Sequence, residues 1–103
     1  MKKVILKWTY YSDIINVPND IVDNIHDYQL KFDEWLSNKD SKHNYWVTLQ
    51  NEEDNSLALS FDSEAFVTWL NNYILSDSIE KVTFEEKDIQ LSDEHKSLPL
   101  LYF

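Results

Sequence analysis

Residues 45–61, YWVTLQNEEDNSLALSF, decide how the rest of the chain is read. Tyr45, Val47 and Leu49 alternate with Trp46 and Thr48, the polar run from Asn51 to Asn55 interrupts, and Leu57, Leu59 and Phe61 resume the period of two. Alternation on both sides of a short turn-forming run predicts a β-hairpin. Outside it, on either side, the apolar period lengthens to that of a helix. Upstream, Ile21, Ile25, Tyr28, Phe32 and Trp35 step by three and four, with Val22 and Leu36 widening the stripe, which predicts an amphipathic helix of about 17 residues ending near Asn38. Asn19 is placed to cap it, with Asp20 and Asp23 where the helix dipole favours anions. Downstream, Asp62 or Ser63 is placed to cap a second helix carrying Ala65, Phe66, Trp69, Leu70, Tyr73 and Ile74, with Asn71 and Asn72 outside.

Strands are expected beyond both helices. Residues 3–11 alternate, with Val4, Leu6, Trp8 and Tyr10 on one side and Lys3, Ile5, Lys7, Thr9 and Tyr11 on the other. Residues 79–86 place Val82 and Phe84 on one face with Glu80 and Glu86, and Lys81, Thr83 and Glu85 on the other, and their charge density suits a sheet edge. Residues 98–103 are apolar enough to dock on the body, as a short fifth strand or an irregular segment. The expected fold is therefore a single α+β domain over residues 1–103, in the order β-α-β-β-α-β. Its two helices lie on one face of a mostly antiparallel four-stranded sheet, in the manner of a ferredoxin-like split βαβ.

Composition narrows the chemistry. The 103 residues contain no cysteine and no glycine, so thiol nucleophiles, disulfides and phosphate-cradling glycine loops are ruled out. Average usage would give roughly seven glycines. Left-handed backbone is therefore expected at Asn38, Asn51, Asp54, Asn55 and Asp77. His26, His43 and His95 have no partner at metal-chelating spacing and read as solvated or structural. Asp20, Asp23 and Asp27 with Asn24 lack the glycine and closing glutamate of a calcium loop and read as the wet face of the first helix. Without glycine a Gly-x-Ser-x-Gly elbow cannot form. No catalytic residue, metal or cofactor is expected. The apolar runs are too short to span a bilayer, and Lys7 interrupts the N-terminal run before a signal-peptide core develops, which predicts a cytoplasmic protein without membrane contact.

Charge gives the functional lead. Nineteen acids oppose nine lysines and no arginine, for a formal net charge of −10. Residues 1–42 hold six lysines and seven acids, whereas residues 43–103 hold three lysines and twelve acids, so −9 of the −10 lies in the second part. Such a surface repels nucleic acid, because phosphate binding needs clustered basic side chains. It favours rapid capture of a basic protein, since complementary potentials raise the encounter rate. The expected partner-binding rim joins Glu52, Glu53 and Asp54 in the hairpin turn, Asp62 and Glu64 at the second helix, and Glu80, Glu85, Glu86 and Asp88 around the last long strand. Trp46 is its expected aromatic anchor, with burial under the C-terminal tail as the alternative, while Trp8, Trp35 and Trp69 lie on core stripes. Charge reversal at Glu85 and Glu86 is expected to slow association.

In size, a pI near 4.5, absence of cysteine and mixture of acids with Trp and Tyr, the chain resembles the small cytosolic immunity proteins of bacterial toxin systems, particularly those of contact-dependent growth inhibition. The resemblance is one of whole-chain character and assigns no individual residue. It implies a stoichiometric inhibitor that occludes the active site of a cationic toxin, in many such systems a nuclease. Two other readings use the same charges: a phage-encoded mimic of nucleic acid, and a non-catalytic adaptor whose acids keep it soluble.

Overall fold

The computed structural model describes residues 1–38, 40–50 and 55–103. Two layers organise it: a four-stranded sheet and the helices packed on one of its faces. The first strand, β1 (Lys2–Lys7), turns at residues 8–11 into β2 (Ser12–Val17), and the two pair antiparallel from Lys2↔Val17 to Lys7↔Ser12. The expected single strand over residues 3–11 is thus corrected to a strand and a turn, after which a second strand begins at Ser12. Trp8 N–H donates to the Tyr11 carbonyl at 2.9 Å to close the turn.

The first helical region also departs from expectation. It is two helices, α1 (Asn19–Val22) and α2 (Ile25–Ser37), broken at Asp23 and Asn24. Pro18 occupies the N-cap position of α1, where no side chain caps, so Asn19 does not play the role expected of it. The apolar stripe nevertheless runs across the break, because Ile21, Val22, Ile25, Phe32 and Leu36 are all buried.

The hairpin forms as β3 (Trp46–Gln50) and β4 (Asn55–Leu59), with Trp46 opposite Leu59 and Gln50 opposite Asn55. It makes a sheet of its own rather than the centre of the main one, which removes the ferredoxin-like topology. His43 ties down its base. The ring Nδ1 accepts from Tyr45 N–H at 3.2 Å, so Nε2 carries the proton and donates to the Leu36 carbonyl at the end of α2, at 2.9 Å.

Helix α3 (Ser63–Trp69) follows and runs into a π-helical turn at Leu70–Ile74. Asp62 is its N-cap, accepting from Glu64 N–H at 3.1 Å. Asn71, expected outside, instead works as a backbone surrogate: its amide donates to the Val82 carbonyl at 3.0 Å and accepts from Val82 N–H at 2.8 Å. Lys81 caps the preceding turn through the carbonyls of Leu75 and Asn71.

The last strands complete the main sheet. β5 (Thr83–Ile89) pairs antiparallel with β2 and lies at the edge, four residues later in starting than the alternation implied. β6 (Leu100–Tyr102) pairs parallel with β1, so the strand order is β5-β2-β1-β6 and the sheet is mixed although mostly antiparallel. Ladder shifts along β5 place Phe84 opposite Ile15 and Glu86 opposite Ile14, which leaves Glu85 as an extra residue and moves Glu86 away from the face of Phe84. Asp88 adopts φ 56° within the irregular part of β5 and, among the described residues, has the one left-handed backbone. The left-handed positions expected at Asn38, Asn55 and Asp77 are corrected accordingly, and Asn51 and Asp54 lie outside the described residues.

One face of the sheet, with Val4, Leu6, Ile15, Val17 and Leu101, packs against Phe32 and Leu36 of α2 and Phe66, Trp69 and Leu70 of the second helical region. Phe32 is the hub, with ring centroids within 6.4 Å of Trp35, Phe61, Phe66, Trp69 and Phe103. The opposite face is also covered. Ile5 and Ile14 are buried there beneath the segment from Leu91 to Leu98, whose 3₁₀ turn at Asp93–His95 is held by Ser92 and His95 in a reciprocal capping box. Among the described residues no helix is long and apolar enough to cross a membrane.

Candidate functional site

The site is assembled around the start of α3. Asp13 on β2 is buried, and its side chain lies on the helix side of the sheet. A buried carboxylate is costly unless its lone pairs are satisfied. Here they are: Oδ2 accepts from the Ser63 hydroxyl at 2.5 Å and Oδ1 from Asp88 N–H at 2.9 Å. The same hydroxyl accepts from Trp8 Nε1–H at 2.7 Å. The chain Trp8–Ser63–Asp13–Asp88 therefore locks the β1–β2 turn, the start of α3 and the irregular part of β5 to one another. The indole of Trp8 stacks on Phe103 at 5.0 Å, which fixes it from the other side.

A cleft of about 150 Å³ opens over this lock, walled by Tyr11, Asp13, Asp62, Glu64, Lys87 and Asp88. Four carboxylates thus surround one lysine. Lys87 Nζ lies 3.1 Å from Glu64 Oε1 and 4.2 Å from the Phe84 ring centroid. Its hydrogen bond to Glu64 raises its pKa first of all, with the charges of Glu64, Asp13 and Asp62 adding to the rise. Burial pushes the Tyr11 phenol up, and Asp13, Asp62 and Asp88 push it further. Both shifts point to a negative local potential.

A separate aromatic groove of about 340 Å³ lies along α3, between it, α2 and the residues leading into β3, with Lys42 among its lining. Trp35, His43, Tyr45, Trp69 and Tyr73 line it. Trp35 meets Tyr73 at 5.6 Å and 53° and Tyr45 at 6.4 Å and 68°, so the rings form walls rather than a flat stack. The Tyr45 phenol is raised by burial and then by the charges of Asp62 and Glu64.

The expected rim is divided by this arrangement. Asp62, Glu64 and Asp88 come together, joined by Asp13, which sequence reasoning passed over. Glu85 lies on the other side of the sheet, where its carboxylate accepts from the Asn16 amide at 2.7 Å and sits 3.6 Å from Lys3 Nζ. That amide, and Lys3 second, hold its carboxyl below the usual range. Glu86 borders a different cavity with Lys3, Ile14, Glu94 and His95. Glu80 is exposed in the connection before β5 and lines neither cleft nor groove. Glu52, Glu53 and Asp54 lie outside the described residues.

Trp46 is half-buried beside His43, with ring centroids 6.4 Å apart, and its Nε1–H is buried without an acceptor among the described residues. The tail does not cover it, because Leu100–Tyr102 is paired with β1. Trp69 is buried, whereas Trp8 and Trp35 are half-buried, and Trp35 belongs to the groove as much as to the core. The signal for Asp13 in the sequence was slight, a single acid among residues 1–19 that directly precedes Ile14 and Ile15, and only the partners on α3 and β5 show why it is tolerated. Among the described residues no cluster of three His, Asp or Glu side chains is arranged to hold a metal ion. No protein-family model, curated protein or solved structure matches the chain.

Proposed function

We propose that this protein is a stoichiometric binding protein that captures a cationic protein partner through the α3 side of the molecule, and that it acts as an inhibitor of the immunity-protein kind. The favoured partner is a toxin domain whose active site carries basic side chains, such as a nuclease. The observation that carries this reading is the convergence of Asp13, Asp62, Glu64 and Asp88 on a cleft containing Lys87, in a chain of net charge −10. Complementary charge of this kind speeds encounter and rejects anionic competitors. The neighbouring aromatic groove adds the ring surface from which binding hot spots are usually built. Glu85, engaged by Asn16 and Lys3, contributes less steering than its position in the sequence suggested.

The test begins with recovery of the partner by co-purification from the cells that encode the chain. Its association rate is then measured against ionic strength. The reading expects a nanomolar complex whose association slows steeply with salt. Asp62→Ser with Glu64→Gln, which keeps an N-cap oxygen while removing two charges, is expected to slow association more than Glu85→Lys does. A partner that meets the protein at a rate indifferent to salt overturns the reading.

A further inference from the structure

We infer that residues 90–98 form a strap that lifts as one unit from the outer face of the main sheet, uncovering Ile5 and Ile14 while the rest of the molecule stays folded. The opened form presents a second apolar surface, on the side of the sheet away from α3, and the inference is independent of the capture reading.

β5 and β6 lie at opposite edges of the sheet, so the chain between them has to cross a face of it. The crossing is clamped at both ends. Ile89 stands opposite Ser12 in the ladder with β2, and the Pro99 carbonyl accepts from Ile5 N–H at 2.8 Å. Between these clamps, among the described residues, every hydrogen bond and ion pair of residues 90–98 closes within the segment. His95 N–H donates to the Ser92 carbonyl at 3.0 Å, Leu98 N–H to the His95 carbonyl at 3.1 Å and Ser92 N–H to His95 Nδ1 at 3.0 Å, while Lys96 Nζ lies 3.2 Å from Asp93 Oδ1. None of these has to break when the segment leaves the sheet.

Apolar contact is what holds the strap down, and it is thin. Leu91 is 36% exposed and Leu98 is half-buried. Two clefts undercut them. One of about 210 Å³ lies among Leu91, Leu98, Ile5 and Leu100, and another of about 290 Å³ lies among Glu94, His95, Leu98, Lys3, Ile14 and Glu86. Close-packed interiors leave few gaps larger than a water molecule, so a cover set off by clefts of this size forgoes dispersion contact with the face beneath it. Charge adds no grip, because Glu94 of the strap shares its cleft with Glu86 of β5, and Lys3 beside them is paired with Glu85 at 3.6 Å. Segments with few buried apolar contacts open at a fraction of the global unfolding free energy.

The chain contains no cysteine, so a single introduced thiol reports on its own position. Ile14→Cys lies beneath the strap, and Val17→Cys lies on the helix-packed face of the same strand. With a thiol reagent in native buffer, Ile14→Cys is expected to be labelled about a hundredfold faster than the global unfolding of that variant allows, and Val17→Cys at its own global rate. Native-state hydrogen exchange on the unaltered protein gives the second reading. The amides of Ser92, His95, Lys96 and Leu98 are expected to exchange together and faster than Ile5, with a shared, shallow dependence on urea that marks a partial opening. Labelling of Ile14→Cys at the global rate, or strap amides that exchange in step with Ile5, would show that the strap leaves only with the whole fold and would overturn the inference. Strap exchange indifferent to urea overturns it as well, since fraying uncovers no new surface.

Discussion

At the scale of the residue, the decisive feature is a serine shared by an indole and a buried carboxylate. Ser63→Ala strands Trp8 Nε1–H and takes one of the two partners from Asp13. Leaving buried polar groups unpaired is expensive, and the variant is expected to lose about 1–3 kcal/mol in urea denaturation. Glu85 supplies a pH-dependent counterpart on the other face of the sheet. Its folded carboxyl titrates below the ordinary 4.5, so its contribution is present above that pH and fades as pH falls through the lower folded value. The melting temperatures of wild type and Glu85→Gln are expected to differ above about pH 4.5 and to converge in stronger acid. Neither role is legible in sequence. Asp13 lies among the β-forming residues Ile14, Ile15 and Val17, and its partners are 50 and 75 positions away.

At the scale of the element, the apolar period found both helical regions and the hairpin but misplaced the joints between elements. Trp8, Thr9, Tyr10 and Tyr11 have strong strand preferences and form a turn, while Ser12, Asp13 and Asn16 have turn preferences and lie in a strand. Burial and pairing outweighed local preference there. The break between α1 and α2 was hidden because Asp23 and Asn24 fall on the exposed side, where polar residues are expected anyway. Asn71 shows the same limit: its polarity suggested solvent, yet its amide holds Val82 where the chain leaves the second helical region for β5. Asn71→Ala is expected to cost about 2 kcal/mol, since both Val82 backbone groups lose their partner, and thermal unfolding would register it as a lower midpoint. Asp88→Val, which forces a β-branched residue into left-handed backbone, is expected to destabilise by about 1–2 kcal/mol on the same assay.

At the scale of the whole molecule, the charge asymmetry in sequence did not foretell the geometry. The fold divides the acids of residues 43–103 between two sides of the main sheet. It answers one group with Lys3 and Asn16, and it sets another beside an aromatic groove with Lys87 as the lysine within the cleft. Ladder irregularity in β5 is what sends Glu86 to the side away from Phe84, a displacement that alternation alone cannot anticipate. A binding surface that joins carboxylates to ring faces gains steering from the first and anchoring from the second. The most direct test is the association rate of the co-purified partner, followed across ionic strength for wild type and for the Asp62→Ser/Glu64→Gln variant. A steep fall with salt in the wild type, and a slower and flatter profile in the variant, is the result predicted. Superimposable profiles that do not respond to salt would contradict the claim that this face exists to gather a cationic protein.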